Sequence, residues 1–231
     1  MAEEGTTNQK SKRADWLFLI FATVVVLLQD RFLTEQSMPR SGEILVITGP
    51  MRGKKSDFLI IELEQAAIAE KRVIAFKPRK DTRTAEEIVS RKFNKKGKPR
   101  VSRRFPAFSV GTPDEMLQVI DSKHPEIVGI DEAQFLSTDF VPFIKKMSSE
   151  RGIEFVISGL DMDYLGDPFL ETMPKLLAIA HRVRKTTAIC YRCKSRQAIF
   201  TQKIAGSTDK VEIGDLEYRA ACGDCWYPYR G

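Results

Sequence analysis

Short apolar segments rich in β-branched residues alternate with helix-like segments between residues 42 and 160. Strands are predicted at 42–47, 72–76, 126–130 and 154–160. Helices are predicted at 56–71, 83–90, 113–122 and 142–150, the third of them with Thr112 as its N-cap. Near-continuous apolar strands that alternate with helices are typical of a parallel sheet covered on both faces. The predicted fold class is therefore α/β, a parallel sheet with helices on both faces.

The chain of 231 residues is long enough for one substantial domain and a small one. Its pattern changes after about residue 187, where two cysteine pairs, short strand-like pieces and glycine-containing turns follow. We therefore expect a main domain over 39–186 and a small second domain over 187–231. Residues 1–38 would precede them as an N-terminal extension.

The N-terminal extension contains one apolar segment, WLFLIFATVVVLL, at residues 16–28. As a helix it would span roughly 20 Å, which is short of the ~30 Å hydrocarbon core of a bilayer. Basic residues precede the segment as in a secretory signal, but no small-residue cleavage site follows it. Three interpretations stay open: a short membrane-associated arm, a helix that packs on protein, or translation that starts at Met38.

Basic side chains are concentrated at residues 88–113, a stretch that contains no carboxylate. Its eight lysines and arginines exceed the net charge of +6 of the whole chain. A solvated loop and a patch that binds phosphate or nucleic acid both fit this composition. The pI of about 9.1 favours anionic partners without choosing among them.

The segment TGPMRGKKS, residues 48–56, follows a predicted strand and precedes a predicted helix. A phosphate-binding loop there needs backbone N–H groups at a helix N-terminus, a lysine for the phosphates and a hydroxyl for Mg²⁺. Two registers fit the pattern G-x-x-x-x-G-K-[ST] incompletely. With Gly49 first, Lys55 and Ser56 fit, but Lys54 replaces the second glycine. We prefer this register because the other lacks both the first glycine and the hydroxyl.

Lys54 is the position of this loop at which the replacement of glycine can cost free energy. If the position requires left-handed backbone, a residue other than glycine costs about 1–2 kcal/mol there, or about ten-fold in affinity. Gly53 would avoid that cost if it took up the turn instead. Arg52 and Lys54 also add positive charge close to the phosphates. The sequence alone therefore leaves open whether the phosphate site is of full strength or weakened.

Two carboxylates, Asp131 and Glu132, follow the predicted strand 126–130. A carboxylate at the end of a buried strand is the Walker-B arrangement, in which an aspartate holds Mg²⁺ directly or through water. The glutamate beside it would then be available as a general base for a substrate hydroxyl. Acids at a strand end are otherwise commonly solvated, and the upstream phosphate loop favours the functional interpretation.

Four cysteines form two C-x-x-C pairs, Cys190 with Cys193 and Cys222 with Cys225. Each such turn presents two thiolates on one side, and two turns complete a tetrahedral zinc site. A redox pair is the alternative, but the presence of two pairs favours zinc. Because four protein ligands leave no open position, the zinc is predicted to be structural.

Together these segments resemble the zinc-containing, cytosolic-type (type II) thymidine kinases. The matching pieces are GPM…KS (49–56), KPRKDTR (77–83), GIDEAQF (129–135), GLDMDYLGDPF (159–169), LLAIAHRVRKTTAICYRC (176–193), FTQK (200–203) and EYRAACGDC (217–225). They occur in family order and span about 42–226. The resemblance implies a P-loop nucleotide-binding kinase domain over 39–186 and a zinc-bearing lasso domain over 187–231 that closes over the nucleoside.

The resemblance also implies an activity, ATP-dependent phosphorylation of the 5′-hydroxyl of thymidine or deoxyuridine, with Mg²⁺ and a structural Zn²⁺. Glu132 would be the general base, while Lys55, Ser56 and Asp131 would serve the ATP phosphates and Mg²⁺. The residues implied to contact the nucleotide are Gly49, Pro50, Met51, Arg52, Gly53, Lys54, Lys55, Ser56, Asp131, Glu132, Ala133 and Gln134. Those implied to contact thymidine are Met51, Phe135, Leu160, Tyr164, Thr201 and Tyr218.

The family resemblance further implies a cytoplasmic homotetramer that makes dTMP for DNA synthesis and has no nucleic-acid partner.

The sequence departs from the family pattern in three places. Arg52, Gly53 and Lys54 replace F-S-G, only Gly214 precedes the lasso tyrosine, and SRKF at 90–93 lacks the family's histidine. A nucleotide-binding relative with impaired catalysis, acting as a regulator, is therefore the alternative function. A zinc-ribbon protein that binds nucleic acid through the basic stretch is a third hypothesis.

Overall fold

The computed structural model describes residues 41–84, 86–93, 99–205 and 217–227. The apolar segment at 16–28 lies outside these residues, so its three interpretations stay predictions. Within the part that is described, no helix is long and apolar enough to cross a membrane.

A six-stranded parallel sheet forms the centre of the described chain. Its strands are β1 (Ile44–Thr48), β2 (Val73–Pro78), β5 (Phe108–Val110), β6 (Ile127–Ile130), β7 (Glu154–Gly159) and β8 (Arg182–Lys185). The spatial order is β5-β2-β6-β7-β1-β8, and every neighbouring pair is parallel. The four predicted strands are present, and each end lies within two residues of its predicted position.

Helices cover both faces of the sheet. They are α1 (Lys55–Ile68), α2 (Pro113–Lys123), α3 (Phe140–Arg151) and α4 (Thr172–Ile179). Alternate residues of β1 divide between two cores: Leu45 and Ile47 pack with α1, whereas Ile44 and Val46 belong to the core formed with α2, α3 and α4. The predicted α/β fold, a parallel sheet with helices on both faces, is therefore confirmed.

One local feature defines the start of a helix and another sets the approach of a helix to the sheet. The side chain of Thr112 accepts a hydrogen bond from the Glu115 backbone N–H at 3.3 Å, as the predicted N-cap of α2. On the other face, a Cβ added at Gly129 would lie 2.5 Å from the Leu63 side chain. Glycine in β6 therefore lets α1 approach the sheet closely.

The prediction of a helix at 83–90 is wrong, because this segment leads into a strand. Strand β3 (Glu87–Phe93) pairs antiparallel with β4 (Pro99–Pro106). Ile88 and Ser90 are buried while Glu87, Val89 and Arg91 beside them are more exposed, which is the two-residue period of a strand. The described part of the basic stretch is therefore a hairpin rather than a loop.

Strands β5 and β8 were not predicted. Strand β5 has only three residues, and β8 has the sequence RVRK, with a single apolar side chain. Both lie at the edges of the sheet. Edge strands carry a weak apolar pattern because one side of each meets no further strand.

The part of the chain after β8, here called the cysteine module, comprises the described residues 187–205 and 217–227. Its strands β9 (Phe200–Lys203) and β10 (Tyr218–Ala221) pair antiparallel, and a short helix α5 (Gly223–Trp226) follows. The Trp226 ring stacks on Phe200 with centroids 4.3 Å apart. It also contacts Gly166, where an added Cβ would lie 2.6 Å from the indole ring. The module is thereby packed against the loop that follows β7.

Candidate active site

The predicted motifs meet at one edge of the sheet, because the carboxyl ends of parallel strands lie side by side. The loop after β1, the segment after β2 and the carboxylates after β6 surround one cavity. It is lined by residues 51–57 of the loop, by Lys77, Asp81, Arg83 and Thr84, by residues 87–91 and Phe93 of the hairpin, and by Asp131 and Glu132. The structure thus brings the predicted phosphate loop, Mg²⁺ ligand and general base together.

The loop after β1 is held closely from both sides. The Gly53 N–H donates to the Pro50 carbonyl at 3.1 Å, and a Cβ at Gly53 would lie 2.6 Å from the Thr186 Oγ1. Glycine is therefore required at position 53 by close approach. The Lys55 Nζ donates to the Pro50 carbonyl at 2.8 Å, so the side chain folds back over the loop. Burial lowers the pKa of Lys55, against the attraction of Glu132 and other nearby carboxylates.

Lys54 has left-handed backbone, with φ 62° and ψ 25°, immediately before α1. Arg52 also has a positive φ of 62°, whereas Gly53 between them lies outside the left-handed region. The sequence allowed an alternative in which Gly53, and not Lys54, adopts the left-handed backbone. The structure contradicts that alternative. A lysine occupies the position where the family pattern has glycine, at a cost of about 1–2 kcal/mol.

We expect Lys54→Gly to raise the free energy of unfolding by about 1 kcal/mol, because glycine adopts left-handed backbone without steric cost. Denaturant unfolding of the full, zinc-loaded chain measures the change. Lys80→Gly is the matched control, because Lys80 is also exposed but lies outside the left-handed region. Glycine there should lower stability by about 0.4–1 kcal/mol. Equal destabilisation by both substitutions would contradict the assignment of strain to Lys54.

Asp131 is buried at the end of β6 and faces the start of α1. Its Oδ1 accepts hydrogen bonds from the Ser56 Oγ, at 3.2 Å, and from the Ser158 hydroxyl. Burial and the charge of Glu132 raise the pKa of Asp131 above its ordinary value. A hydroxyl and a carboxylate oxygen are donors that suit Mg²⁺, so Ser56 and Asp131 fit the predicted role.

Glu132 is held by two side chains in a strained backbone conformation. Its φ and ψ are 51° and 38°, in the left-handed region. The Arg83 Nη2 lies 2.5 Å from the Oε1, and the Gln134 Nε2 donates to the Oε2 at 2.5 Å. Burial alone would raise the pKa of Glu132, but the charge and hydrogen bond of Arg83 outweigh it and lower the pKa. The carboxylate is therefore ionised at neutral pH, as a base must be.

Arg83 is a site residue that the sequence reasoning left without a role. It lies in the matched segment KPRKDTR, which gave the only signal. Its guanidinium joins Glu132 to Asp81, with the Arg83 Nε 2.7 Å from the Asp81 Oδ1. The charge of Glu132 raises the pKa of Arg83, and Asp81 raises it further. Burial acts in the opposite direction but does not cancel these effects.

Four of the predicted thymidine-contacting residues lie near strand β9. The Met51 N–H donates to the Thr201 Oγ1 at 3.0 Å, which joins the phosphate loop to the cysteine module. The Lys203 Nζ lies 5.3 Å from the centre of the Tyr164 ring and 5.8 Å from that of Tyr218. Strand β9 thus connects the loop after β1 with the loop after β7.

The other two predicted thymidine contacts, Phe135 and Leu160, follow β6 and β7. The Phe135 ring is half-buried and meets Phe169 edge to face, with centroids 6.0 Å apart. Leu160 is buried, and its N–H donates to the Gln134 Oε1 at 3.1 Å. Of the six predicted thymidine contacts, Met51 lines the cavity described above and the other five do not, so contact of these residues with the base stays a prediction.

The four cysteines form one cluster, in which all the Sγ atoms lie within 4.8 Å of one another. The Cys193 and Cys222 Sγ atoms are 3.5 Å apart, and all four thiols are free of disulfides. Zn–S bonds of about 2.3 Å in a tetrahedron place sulfurs roughly 3.8 Å apart. The cluster is therefore compatible with the predicted zinc site.

A parallel sheet, a glycine-bearing loop that leads into a helix, and carboxylates at a neighbouring strand end define the class of P-loop nucleotide-binding proteins. The family model described as "Thymidine kinase" matches residues 42–226. The chain therefore belongs to the thymidine kinase family, as the motif resemblance predicted.

Individual relatives give the same assignment. A thymidine kinase of Bacteroides thetaiotaomicron is 34% identical over 198 residues, which cover 85% of this chain and 92% of the relative. One from Mesomycoplasma hyopneumoniae is 34% identical over 186 residues, covering 80% of this chain and 95% of the relative. One from Mycoplasmoides gallisepticum is 32% identical over 188 residues, covering 79% and 80%.

Proposed function

We propose that this protein transfers the γ-phosphoryl group of ATP to the 5′-hydroxyl of thymidine or deoxyuridine, yielding dTMP from thymidine for DNA synthesis. The relatives named above are thymidine kinases. The observation that carries the proposal is the single cavity that holds Lys55, Ser56, Asp131 and the ionised Glu132. These groups are the ones that phosphoryl transfer to a hydroxyl requires.

Phosphoryl transfer needs positioning and charge neutralisation more than covalent chemistry from the protein. The backbone N–H groups of residues 54–56, at the start of α1, and the Lys55 ammonium bind the ATP phosphates. Ser56 and Asp131 hold Mg²⁺, which neutralises phosphate charge when it is bound. Glu132 accepts the proton of the acceptor hydroxyl, and Arg83 keeps the Glu132 carboxylate ionised and oriented.

The cysteine module serves as the lid over the nucleoside in this proposal. A lid is expected because water would otherwise compete with the acceptor hydroxyl. The bond between the Met51 N–H and Thr201 attaches the module to the phosphate loop. Cys190, Cys193, Cys222 and Cys225 hold a structural zinc ion that stiffens the module. Division into domains at residue 187, a cytoplasmic location and a homotetramer stay predictions of the family resemblance.

The direct test is phosphoryl transfer from γ-labelled ATP to thymidine by the purified, zinc-loaded full chain. We expect labelled dTMP to form in the presence of Mg²⁺ and to disappear when Mg²⁺ is chelated. Absence of transfer in a folded, zinc-loaded sample would overturn the proposal.

The strained Lys54 favours one alternative, a nucleotide-binding relative with impaired catalysis that acts as a regulator. Lys54→Gly separates the two functions. In an active kinase, the strain at Lys54 is present both before and during phosphoryl transfer, so it lowers the stability of the fold and not the rate. Lys54→Gly should therefore change the kcat/KM of an active kinase by less than about three-fold. A gain of more than about ten-fold would show a disabled site and support the regulator.

Thr201→Val is expected to raise KM for thymidine by about ten-fold, because it removes the acceptor of the Met51 N–H and loosens the lid. Steady-state kinetics with varied thymidine measure the change. Thr201→Ser, which keeps the hydroxyl, is the matched control and should stay within about three-fold of the unchanged protein. Equal effects of valine and serine would show that the hydrogen bond is not what matters.

A further inference from the structure

Lys77, at the end of β2, is a buried lysine at the lining of the site cavity. Only 1% of the side chain is exposed. Its Nζ donates to the Thr84 carbonyl at 2.6 Å and to the Thr84 Oγ1 at 2.8 Å, and it lies 3.2 Å from the Asp81 Oδ2. The three protons of the ammonium therefore meet three acceptors, all on the segment that follows β2.

The contacts of Lys77 continue toward the general base. Asp81 is itself buried and binds Arg83, with the Asp81 Oδ1 2.7 Å from the Arg83 Nε. Arg83 in turn lies 2.5 Å from the Glu132 Oε1. Positive and negative groups thus alternate from Lys77 through Asp81 and Arg83 to Glu132.

Stability alone does not explain a lysine in this place. A buried ion pair is costly to desolvate, and well-packed apolar side chains of similar size usually serve stability as well or better. What the ammonium does supply is geometry. Thr84, which Lys77 holds, also donates through its Oγ1 to the Glu87 carbonyl at 2.6 Å, at the start of β3. Residues 81–84 are therefore fixed both to the sheet and to the hairpin.

We propose that Lys77 is a positioning residue for phosphoryl transfer: together with Thr84 and Asp81, it fixes residues 81–84 so that Arg83 holds the Glu132 carboxylate toward the acceptor hydroxyl. This inference rests on the proposed kinase function. It assigns to Lys77 an effect on the transfer step and not on substrate binding, because every contact described for its Nζ is to the segment after β2.

The test compares Lys77→Met with Lys80→Met in the full, zinc-loaded chain. Both substitutions remove one lysine charge, and the two positions are three residues apart, but Lys77 is buried at the end of β2 whereas Lys80 is exposed in the turn that follows. We expect Lys77→Met to lower kcat by about 10²-fold, the effect of a displaced reacting group, with KM for ATP and thymidine within about three-fold. Lys80→Met should leave kcat and both KM values within about two-fold. An equal loss in both variants, or a loss confined to KM, would overturn the inference.

A second measurement separates positioning from a structural role. If Lys77 acts through Glu132, Lys77→Met should cause no further loss of kcat in a Glu132→Gln background. If Lys77 only supports the fold, it should lower the residual rate by the same factor in both backgrounds. Equal factors would overturn the inference.

A milder pair of variants covers the case in which Lys77→Met does not fold. Thr84→Val removes the hydroxyl that accepts from Lys77, and Thr84→Ser keeps it. We expect the valine variant to lower kcat by about ten-fold and the serine variant by less than about three-fold. Equal kcat values in a folded pair would overturn the role of this contact.

Failure of the proposed function would give a different result from failure of this inference. The unsubstituted protein would then transfer no phosphate to thymidine, and both proposals would fall.

Discussion

Glu132→Gln is expected to lower kcat for thymidine phosphorylation by about 10³-fold and to leave ATP affinity within about three-fold. Glutamine keeps the size of the side chain but cannot accept the proton of the acceptor hydroxyl. It also removes the anionic partner 2.5 Å from the Arg83 Nη2 and leaves the ion pair of Arg83 with Asp81. The kcat comes from steady-state kinetics, and nucleotide affinity comes from calorimetry, which is independent of turnover.

Glu150→Gln is the matched control for this experiment. Glu150 is an exposed glutamate near the end of α3, so its replacement should leave kcat within about two-fold. A Glu132→Gln protein that kept full activity would remove the residue from the role of general base. A loss of ATP affinity as large as the loss of kcat would instead point to a role in binding.

Cys222→Ser is expected to abolish zinc binding and to lower kcat/KM for thymidine by at least about 10²-fold. The apolar cluster around the four cysteines consists of small side chains, namely Ala188, Cys190, Ala198, Ala220 and Cys222. Such a core buries too little apolar surface to order the module without metal bonds. With the module disordered, Thr201 no longer contacts the phosphate loop and the nucleoside loses its lid.

Zinc content by metal analysis and thymidine kinetics on the same sample measure this effect. Ser195→Ala, in the turn after Cys193, is the control and should retain one zinc per chain. The two main cores involve α1 to α4 and should keep the parallel sheet folded in the zinc-free protein, which circular dichroism can follow. Full activity in a zinc-free sample would contradict the role of the module as a zinc-dependent lid.

The central sheet could be predicted from sequence because its strands are apolar on both faces. Strand β8 could not, since RVRK is held by pairing with β1 and by the Arg184 guanidinium, which lies 4.1 Å from the centre of the Phe58 ring. Those partners are far away in sequence. The hairpin of β3 and β4 was missed for a different reason: its strands are neighbours in sequence, but basic side chains interrupt their apolar pattern.

The candidate site divides in a similar way. Spacing alone identified Lys55, Ser56 and the strand-end carboxylates, because phosphate loops and Mg²⁺ ligands have fixed local patterns. Arg83 and Lys77 lie in the matched segment KPRKDTR, but no general spacing pattern assigns either residue a role. Their importance is visible only when the fold brings the segment after β2 beside Glu132. The backbone of Lys54 was an open question in the sequence and is left-handed in the structure.

The stacking of Trp226 on Phe200 and its contact with Gly166 make the cysteine module optically observable. Trp226 is one of only two tryptophans in the sequence, and the other is Trp16. In a Trp16→Phe background, indole fluorescence would therefore report from a single position, where the module meets the loop after β7. Lid motion could then be followed in real time without an attached dye.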